Sequence, residues 1–467
     1  MSIIRNKDTI IRYHNCKSLS DSLTALDYAF KYSDPERLVS ESINIASNLQ
    51  LSGINNRIHQ FDLPDRASTL VVSVGKASEK MLVGFINKMK DRIKKSILII
   101  PIGYSIEKIN FELLDNTIVI QSSHPIPNVQ STLAARKVVK ELQNSKSIQL
   151  IVFLISGGSS SLMVSPIEGI NLTNKKIINK MLITSGANIE EINIVRKHLS
   201  QIKGGKILRR IPPSTPVIAL ILSDVVGDHL DTIGSGLTSS DRSTFKDALS
   251  ILNNYITLNS KSESIRKAKV VLESGVRSQI PETMKPKEFS SRQVTNIIIG
   301  NNSNFCILIQ ECFKKWGYFT NYMGSNYGIS MNDFIKVASG IINTKHEPKT
   351  CIILGGEVTN TLSGRKMGIG GRNQEAICQL LQIIRNNDLH DFSVICIGTD
   401  GIDGNSPSAG GFIAPRTIEL LKSKKLDVNY FIKSNNSNVL LTKLRSRIDT
   451  GYTGANFNDV YLFVKNK

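Results

Sequence analysis

Three glycine-rich segments in the carboxy-terminal part of the chain combine groups that bind anions with groups that bind metal ions. They are GGE at 355–357, GGRNQE at 370–375 and TDGIDG at 399–404. Glycines let a backbone approach a phosphate closely, an arginine can bind a phosphate through two N–H groups, and carboxylates after a strand can hold Mg2+. This combination is typical of phosphoryl transfer.

Apolar runs that are typical of buried strands lead into two of these segments. CIILGGE at 351–357 and FSVICIGTDGIDG at 392–404 each pass from apolar residues to glycines and carboxylates. We predict two buried parallel strands whose carboxyl ends open into polar loops, where open α/β sheets bind their ligands. Residues 373–386 have apolar side chains at helical spacing, so residues 372–374 are predicted at a helix N-terminus, where free amides attract anions.

Strand-like and helix-like patterns alternate through the first two thirds of the chain. The strand-like runs are residues 70–76, 96–103, 116–125, 148–158 and 215–228. Such alternation predicts a doubly wound, Rossmann-like parallel sheet. A polar, proline-containing stretch at 273–293 is the predicted junction, and a second alternation begins at Val294. The fold class is therefore α/β with two lobes, residues 1–287 and a smaller lobe of residues 288–467, and we expect the active site in the cleft between them.

Six further motifs follow one another along the chain. They are SHPIPN at 123–128, LISGGSSSL at 154–162, SGANIEEINIVRKHLSQIKGG at 185–205, LSDVVGD at 222–228, IGSGLTSSD at 233–241 and TGYTGANFND at 450–459. With the glycine-rich segments, they resemble the blocks of the glycerate 2-kinase family (MOFRL-type, class II glycerate kinases), in the same order. The resemblance implies direct in-line phosphoryl transfer from ATP to the 2-hydroxyl of D-glycerate, with Mg2+, which yields 2-phosphoglycerate and ADP.

The resemblance also implies catalytic roles for particular residues. Lys76, which follows a predicted strand, and Arg372 would stabilise the transferred phosphoryl group. Asp400 would orient or deprotonate the hydroxyl or hold Mg2+, and Glu357 is a second candidate metal ligand. On the residues alone, a surface lysine is the favoured interpretation of Lys76, and the resemblance reverses it. Arg372 could instead be a salt-bridge partner, and Asp400 could be part of an Asx turn.

A larger set of residues is predicted to contact the substrate or the nucleotide. It comprises Ser156, Gly157, Gly158, Ser159, Ser160, Arg196, His198, Asp224, Glu357, Asn373 and Asp403. The serine-rich turn can form an anion-binding nest. The family usually has a glycine where Ser159 stands, and a positive φ would be strained at a serine.

Several of these residues could instead have purely structural roles. The segment EEINIVRKHLSQIKGGKI at 190–207 is predicted as a helix whose basic residues, Lys203 and Lys206 among them, mostly face solvent. A helical histidine such as His198 is often a structural hydrogen-bonding residue. Asp224 could cap a helix, and Asp403 could belong to an Asx turn.

Composition narrows the expected partners. The chain has 467 residues and a formal net charge of +19, but its basic residues are dispersed and no nucleic-acid-binding motif accompanies them. We therefore expect no nucleic-acid partner, and we expect the basic surface to attract ATP and glycerate. The cysteines are scattered, no apolar run approaches ~20 residues, and the amino terminus has no apolar signal core. These features predict a cytoplasmic protein without a membrane span. The sequence leaves a homodimer open.

Two other functional classes stay open. An NAD(P)-dependent hydroxypyruvate reductase would act on a related small hydroxyacid, but the first strand and helix lack the GxGxxG fingerprint with an acidic residue ~20 positions later. A non-catalytic phosphate- or nucleotide-binding protein is disfavoured because Lys76, Arg372 and Asp400 occur together.

Overall fold

The computed structural model describes residues 2–45, 48–64, 67–104, 116–256, 262–359, 368–384 and 391–467. The helices are α1 (Lys7–His14), α2 (Lys17–Tyr32), α3 (Pro35–Ser42), α4 (Ser78–Met89), α5 (Val129–Gln143), α6 (Ser159–Leu162), α7 (Leu172–Thr184), α8 (Ile189–His198), α9 (Phe245–Tyr255), α10 (Glu263–Val276), α11 (Pro286–Ser290), α12 (Asn302–Lys315), α13 (Met331–Asn343), α14 (Arg372–Ile384), α15 (Pro415–Ser423), α16 (Val428–Lys433) and α17 (Ser437–Lys443). The strands are β1 (Ile43–Ile45), β2 (Leu49–Ser52), β3 (Ile58–Phe61), β4 (Thr69–Val74), β5 (Ile93–Pro101), β6 (Thr117–Ser122), β7 (Leu150–Ile155), β8 (Val217–Leu222), β9 (Val294–Gly300), β10 (Phe319–Tyr322), β11 (Thr350–Gly356), β12 (Phe392–Gly398), β13 (Gly410–Ile413), β14 (Arg447–Ile448) and β15 (Asp459–Lys465). Short 3-10 helices include Lys90–Arg92, Lys206–Arg210 and Ile233–Ser235. Within the described ranges, no helix combines the length and the apolar character that crossing a membrane requires.

The chain forms two compact units. The parallel-sheet unit is Pro35–Ile299, and the mixed-sheet unit combines Met1–Asp34 with Gly300–Lys467. This division differs from the predicted domains 1–287 and 288–467. The difference arises because α1 and α2 pack with the carboxy-terminal part of the chain, and because β9 joins the first sheet.

The parallel-sheet unit is built on a six-stranded sheet with the order β6-β5-β4-β7-β8-β9. The pairs β6–β5, β5–β4, β4–β7 and β7–β8 are parallel. Strands β4, β7 and β8 are buried along their whole length, as expected for inner strands that are covered by helices on both faces. The prediction of a doubly wound, Rossmann-like sheet is confirmed. Its strand order reverses between β4 and β7, and such sheets bind ligands beyond the carboxyl ends at the reversal.

Helices α7 to α10 form a layer of the same unit with a core of its own. Asn171 and Asn188 accept hydrogen bonds from the third residues of α7 and α8, and these caps satisfy amides that have no partner within the helix. Apolar side chains of α8 then pack on Phe245 of α9. The layer fixes the end of α8, after which the chain turns sharply.

The mixed-sheet unit has the strand order β10-β11-β15-β12-β13-β14. Strands β10 and β11 are parallel, but β15 is antiparallel to both β11 and β12, and β12–β13 and β13–β14 are also antiparallel. The prediction that β12 is a parallel strand was therefore wrong. The prediction rested on the apolar character of β12, which is buried along its whole length. A strand of a mixed sheet can be buried in the same way, and here α2, α12 and α14 cover the sheet.

Although β15 lies between β11 and β12, the polar loops that follow these two strands lie at the same edge of the sheet. Because β11 and β12 are both antiparallel to β15, they run in the same direction and their carboxyl ends meet at one edge of the sheet. Asp459, the first residue of β15, pairs with Gly356 of β11 and with Gly398 of β12. Residues 355–357, 399–404 and Asp459 are thus brought to one edge.

Candidate active site

Two loops meet at the reversal of strand order in the parallel-sheet unit. Lys76 follows β4 and is half-buried, and its backbone N–H donates to the carbonyl of Gly157 after β7, over 2.8 Å. The N–H of Ala77 donates to Ser156 Oγ over 3.0 Å. Gly75 lets the loops approach this closely, because its φ is +135° and a β-carbon there would lie 2.1 Å from Ser156 Oγ. The two predicted motifs therefore form one structural element.

The serine-rich turn after β7 changes direction at Gly158. Gly158 has a φ of +86°, whereas Ser159 begins α6 with ordinary helical geometry. The strain that was considered for Ser159 does not arise, because the glycine beside it takes the left-handed conformation. Gly158 and Ser160 are half-buried, while Ser156, Gly157 and Ser159 are buried. Among the predicted contacts in this turn, the backbone of Gly158 and the side chain of Ser160 are thus the groups most accessible to a ligand.

His124 lies against this turn, although the sequence did not single it out. A β-carbon on Gly158 would lie 2.8 Å from Cδ2 and 3.1 Å from Nε2 of His124. The imidazole therefore packs directly on the Gly158 backbone, beside the loop that carries Lys76. The SHP motif after β6 was the signal that could have identified this residue.

The structure separates the other predicted contacts of this unit. Asp224 follows β8, so it lies at the same edge of the sheet as Lys76, and it is half-buried. His198 is 0% exposed, with Nδ1 2.8 Å from the carbonyl oxygen of Ile194 and Nε2 3.2 Å from Glu282 Oε2. The structure thus places His198 in the core, where it has no surface for a ligand. Arg196 donates from Nε to Asn179 over 3.2 Å.

The prediction that the basic residues of 190–207 mostly face solvent was wrong. The helix ends at His198, so helical periodicity does not apply to the residues beyond it. Lys197, Lys203 and Lys206 are all buried. Lys197 Nζ lies 2.7 Å from Asp241 Oδ1, and burial of this pair is compensated by the opposite charges.

In the mixed-sheet unit, Arg372 is held by two carboxylates. Its Nε and Nη2 donate to the two oxygens of Asp459 over 2.5 and 3.0 Å, and Nη1 donates to Glu357 Oε1 over 2.7 Å. Burial opposes the charge of Arg372, but Asp459 and then Glu357 outweigh it, and the pKa of the guanidinium is raised. Arg372 therefore stays a cation, and three of its five N–H groups fix its orientation.

At the N-terminus of α14, the amides of Asn373 and Gln374 are not free, contrary to the prediction. Asp403 Oδ1 accepts from Asn373 N over 3.1 Å, and Oδ2 accepts from Gln374 N over 2.8 Å. The side-chain amides of Asn373 and Gln374 donate to the same carboxylate. Asp403 and Asn373 are both buried, so they anchor the helix that presents Arg372. An internal carboxylate thus occupies the position that the sequence suggested for an external anion.

Asp400 lies at the end of β12 and is half-buried. Its Oδ1 accepts from the N–H of Ile402 over 3.2 Å, which is the geometry of an Asx turn. Its carbonyl accepts from Thr453 N over 3.2 Å, so the loop before β15 fixes its backbone. The turn and a functional role are compatible, because a carboxylate has two oxygens.

Comparisons with known proteins agree with this architecture. Residues 350–459 match the MOFRL family, and residues 21–269 match a domain of unknown function, DUF4147. A glycerate 2-kinase from Pyrococcus horikoshii is 32% identical over 93% of this chain and 94% of its own length. The chain belongs to the glycerate 2-kinase family.

Further relatives support the same assignment. A D-glycerate 2-kinase from Thermotoga maritima is 33% identical over 92% of this chain and 99% of its own length. The crystal structure of a glycerate kinase from Thermotoga maritima matches with a TM-score of 0.76 at 29% identity, and the match covers 95% of this chain and 98% of that one. The predicted glycerate 2-kinase family and α/β fold class are confirmed.

For this glycerate 2-kinase family member, the carboxylates can be tested against the needs of Mg2+. No group of three or more His, Cys, Asp or Glu side chains suited to a metal occurs in the described part of the chain. Mg2+ in phosphoryl transfer commonly takes one or two carboxylates together with substrate phosphates and waters. Asp400 and Glu357 fit that pattern as candidate ligands, and Glu357 also pairs with Arg372.

The sequence motifs of the glycerate 2-kinase family contained Asp459, but we did not predict a role for it. Its side chain is 0% exposed and joins Arg372, Asn373 and the hydroxyl of Tyr461. The sequence contained a signal for Asp459, because this carboxylate ends the motif TGYTGANFND and is followed directly by an apolar run. Its partner Arg372 could not be identified from spacing alone, because 87 residues separate the two.

Asp403 gives a testable pH dependence of stability. Burial and then the charge of Asp459 raise its pKa from 3.8 to about 6, although the N–H groups of Gln374 and Asn373 oppose the shift. The folded protein therefore binds this proton more tightly than the unfolded chain does. The resulting stabilisation is complete below about pH 4 and is lost as the pH rises through about 6, a change on the order of 3 kcal/mol.

Urea unfolding of wild-type protein and Asp403→Asn at several pH values measures this contribution. The free energy of unfolding of the wild type minus that of the variant should fall between about pH 4 and 7. A difference that is constant or rises over this range would show that Asp403 is ionised throughout in the folded protein.

Proposed function

We propose that this protein phosphorylates D-glycerate at the 2-hydroxyl with ATP, which yields 2-phosphoglycerate and ADP. The observation that carries the proposal is similarity to a glycerate 2-kinase over 93% of the chain. Lys76 and Asp400 follow strands at edges where α/β sheets bind ligands, and Arg372 at the start of α14 binds Asp459 at the same edge of the mixed sheet, which supports it.

The reaction is a direct displacement at phosphorus. The 2-hydroxyl oxygen of glycerate attacks the γ-phosphorus of ATP, the bond from that phosphorus to the β-phosphate oxygen breaks, and ADP leaves. The hydroxyl proton passes to a carboxylate, for which we propose Asp400. Catalysis of such a transfer rests mainly on positioning and on compensation of the negative charge.

In the parallel-sheet unit, we propose that Lys76 provides a cation for the phosphoryl group. Ser156 and Gly157 hold the Lys76 loop through the hydrogen bonds described above. Gly158 and Ser160 would bind an anionic group of the substrate or the nucleotide, with Asp224 at the neighbouring strand end. Arg196, whose guanidinium binds Asn179, would act near this edge only if its side chain turned.

In the mixed-sheet unit, we propose that Arg372 stabilises the transferred phosphoryl group. Its planar guanidinium is pre-oriented by Asp459 and Glu357, so little reorganisation is needed when charge moves during the reaction. Mg2+ bound with ATP would neutralise phosphate oxygens, and Glu357 would be its carboxylate ligand, since Asp400 is assigned the hydroxyl proton. Asp403 and Asn373 act by anchoring α14 rather than by touching a ligand.

The strand order of the sheet does not by itself distinguish a kinase from a dehydrogenase. Strand β4 ends in VGKAS, which lacks the glycine fingerprint of dinucleotide-binding proteins. We therefore keep the kinase proposal over an NAD(P)-dependent reductase. A cytoplasmic location and a homodimer also stay predictions, and light scattering of the purified protein tests the second.

An activity assay tests the proposed function. Purified protein with D-glycerate, ATP and Mg2+ should form ADP and 2-phosphoglycerate, identified by NMR against 3-phosphoglycerate, without any nicotinamide cofactor. Lys76→Met, purified in the same way, controls for contaminating kinases and should lose roughly 10²-fold or more of kcat. Lys88→Met, which changes an exposed lysine of α4, is the matched control. Hydroxypyruvate-dependent NADH oxidation without ADP formation would refute the proposal.

A further inference from the structure

Lys203 is a buried lysine whose ammonium group contacts the serine-rich turn. The residue is 2% exposed. Its Nζ donates to the carbonyl oxygen of Ser160 over 2.8 Å, to Ser160 Oγ over 2.5 Å and to Ser235 Oγ over 3.3 Å. These three oxygens match the three hydrogens of an ammonium group.

The contacts of Lys203 belong to a larger polar network. The hydroxyl oxygens of Ser160 and Ser235 are 2.9 Å apart, and Ser235 donates to Asn193 Oδ1 over 3.2 Å. Ser235 has a φ of +59°, which is uncommon for a serine and requires support from its surroundings. The N–H of Gly204 donates to the Ser235 carbonyl over 3.1 Å, so the Lys203 segment supplies that support.

The environment of Lys203 offers hydrogen-bond acceptors but no opposite charge. Within the described ranges, no carboxylate lies within ion-pair distance of its Nζ, and all of its hydrogen-bond partners are neutral oxygens. Burial, and then the charges of Lys175 and Arg196, lower the pKa of Lys203. Burying a lysine in this way is costly, and groups with such perturbed surroundings concentrate at functional sites.

We propose that Lys203 is a positioning residue of the active site, which holds Ser160 in the orientation that binds an anionic group of the substrate or the nucleotide. The proposal rests on the function proposed above, and it adds a residue that does not itself touch the ligand. Lys203 acts through Ser160, because both the carbonyl and the hydroxyl of that serine accept its hydrogen bonds. Ser160 is half-buried and belongs to α6, which follows β7, one of the two strands between which the strand order reverses.

Lys206 provides a matched control. It lies three residues further along, is 7% exposed, and its Nζ has no hydrogen-bond partner in the described part of the chain. Removing either ammonium group therefore relieves a similar burial cost, but only Lys203 contacts Ser160. An effect of removing a buried ammonium group alone should appear in both variants, whereas an effect of losing the contacts with Ser160 should appear only in Lys203→Met.

The test compares Lys203→Met with Lys206→Met by steady-state kinetics and thermal melting. In Lys203→Met, the KM for either D-glycerate or ATP should rise ~10-fold or more, as expected when a hydrogen bond that positions a ligand group is lost. The kcat should stay within roughly threefold, since the residue does not act on the reacting atoms. Lys206→Met should keep both KM values within about twofold of the wild type.

A double-mutant cycle with Ser160→Ala separates positioning from folding. If Lys203 acts through Ser160, Lys203→Met should raise KM much less in the Ser160→Ala background than in the wild type. Additive effects, unchanged KM values or an equal effect of Lys206→Met would overturn the proposal. Should Lys203→Met fail to fold, Lys203→Gln takes its place with a smaller expected rise in KM, because its shorter side chain can replace only part of the contacts with Ser160 and Ser235; an unchanged KM would still contradict the proposal.

Equilibrium dialysis with ATP and with D-glycerate measures ligand binding directly, so its result does not depend on turnover. Wild-type protein that binds a ligand but forms no product, together with weaker binding in Lys203→Met, would support the role of Lys203 and refute the proposed reaction. If wild-type protein forms product but Lys203→Met binds both ligands as tightly as the wild type does, the proposed reaction is supported and the role of Lys203 is refuted. Wild-type protein that binds neither ligand would refute both.

Discussion

Replacing Arg372 by lysine should lower kcat by roughly 10²-fold or more while the protein stays folded, as expected when a charge contact in the transition state is lost. An ammonium group keeps the charge, but it cannot donate in parallel to both oxygens of Asp459 and also reach Glu357. The cation would then no longer be fixed where the phosphoryl group develops charge. Initial rates at saturating ATP and D-glycerate measure the loss, and circular dichroism confirms folding.

Arg209→Lys is the control for this substitution. Arg209 binds the two oxygens of Glu288 from Nε and Nη2 over 2.7 and 2.6 Å, so it makes a comparable paired contact. It belongs to a 3-10 helix and has no part in the proposed mechanism. Its kcat should stay near that of the wild type. If Arg372→Lys also kept wild-type turnover, Arg372 would be a structural salt-bridge residue.

Asp459→Asn should destabilise the protein by about 3 kcal/mol, because it leaves the partly buried charge of Arg372 with Glu357 alone of its two carboxylate partners and weakens the contacts with Asn373 and Tyr461. The carboxylate accepts from Arg372, from the side chain of Asn373 over 3.0 Å and from the hydroxyl of Tyr461 over 3.2 Å. An asparagine has one oxygen instead of two, and its amino group would face donors. Urea unfolding measures the change in the free energy of unfolding.

Glu41→Gln is the control for Asp459→Asn. Glu41 also forms an arginine pair, with Arg37 over 2.7 Å, but more than a third of each side chain is exposed. Pairs that water reaches contribute about 0–1 kcal/mol, so the control should change stability little. Equal effects of the two substitutions would show that Asp459 is no more important to the fold than a surface carboxylate.

The strands of the parallel sheet were predictable because their signal is local. The β-branched runs before Lys76 and before the serine-rich turn are buried strands, and the glycines that follow them turn the chain. The antiparallel insertion of β15 was not predictable, since pairing between distant strands leaves no mark on the composition of either strand. The packing of α1 and α2 in the mixed-sheet unit is unpredictable for the same reason.

The same distinction between local signals and long-range contacts applies to the predicted site residues. Lys76, Ser156 and Asp400 were placed correctly at strand ends, because strand ends can be read from the sequence, while their roles stay predictions. The carboxylate of Asp403 was not expected to fill the N-terminus of α14, because spacing does not reveal which acidic residue folds back onto which amide. The burial of His198 was likewise invisible, since it depends on packing against Phe245 of another helix.

The position of β15 in its sheet has a consequence for synthesis. Strands β11 and β12 run in the same direction and are joined only through β15, which is made after both of them. A nascent chain therefore exposes two apolar strand edges until the ribosome has released β15, and unpaired edges of this kind invite pairing with other chains. Ribosome-bound intermediates that end before residue 459 should consequently recruit chaperones, and their release should coincide with emergence of the strand that begins at Asp459.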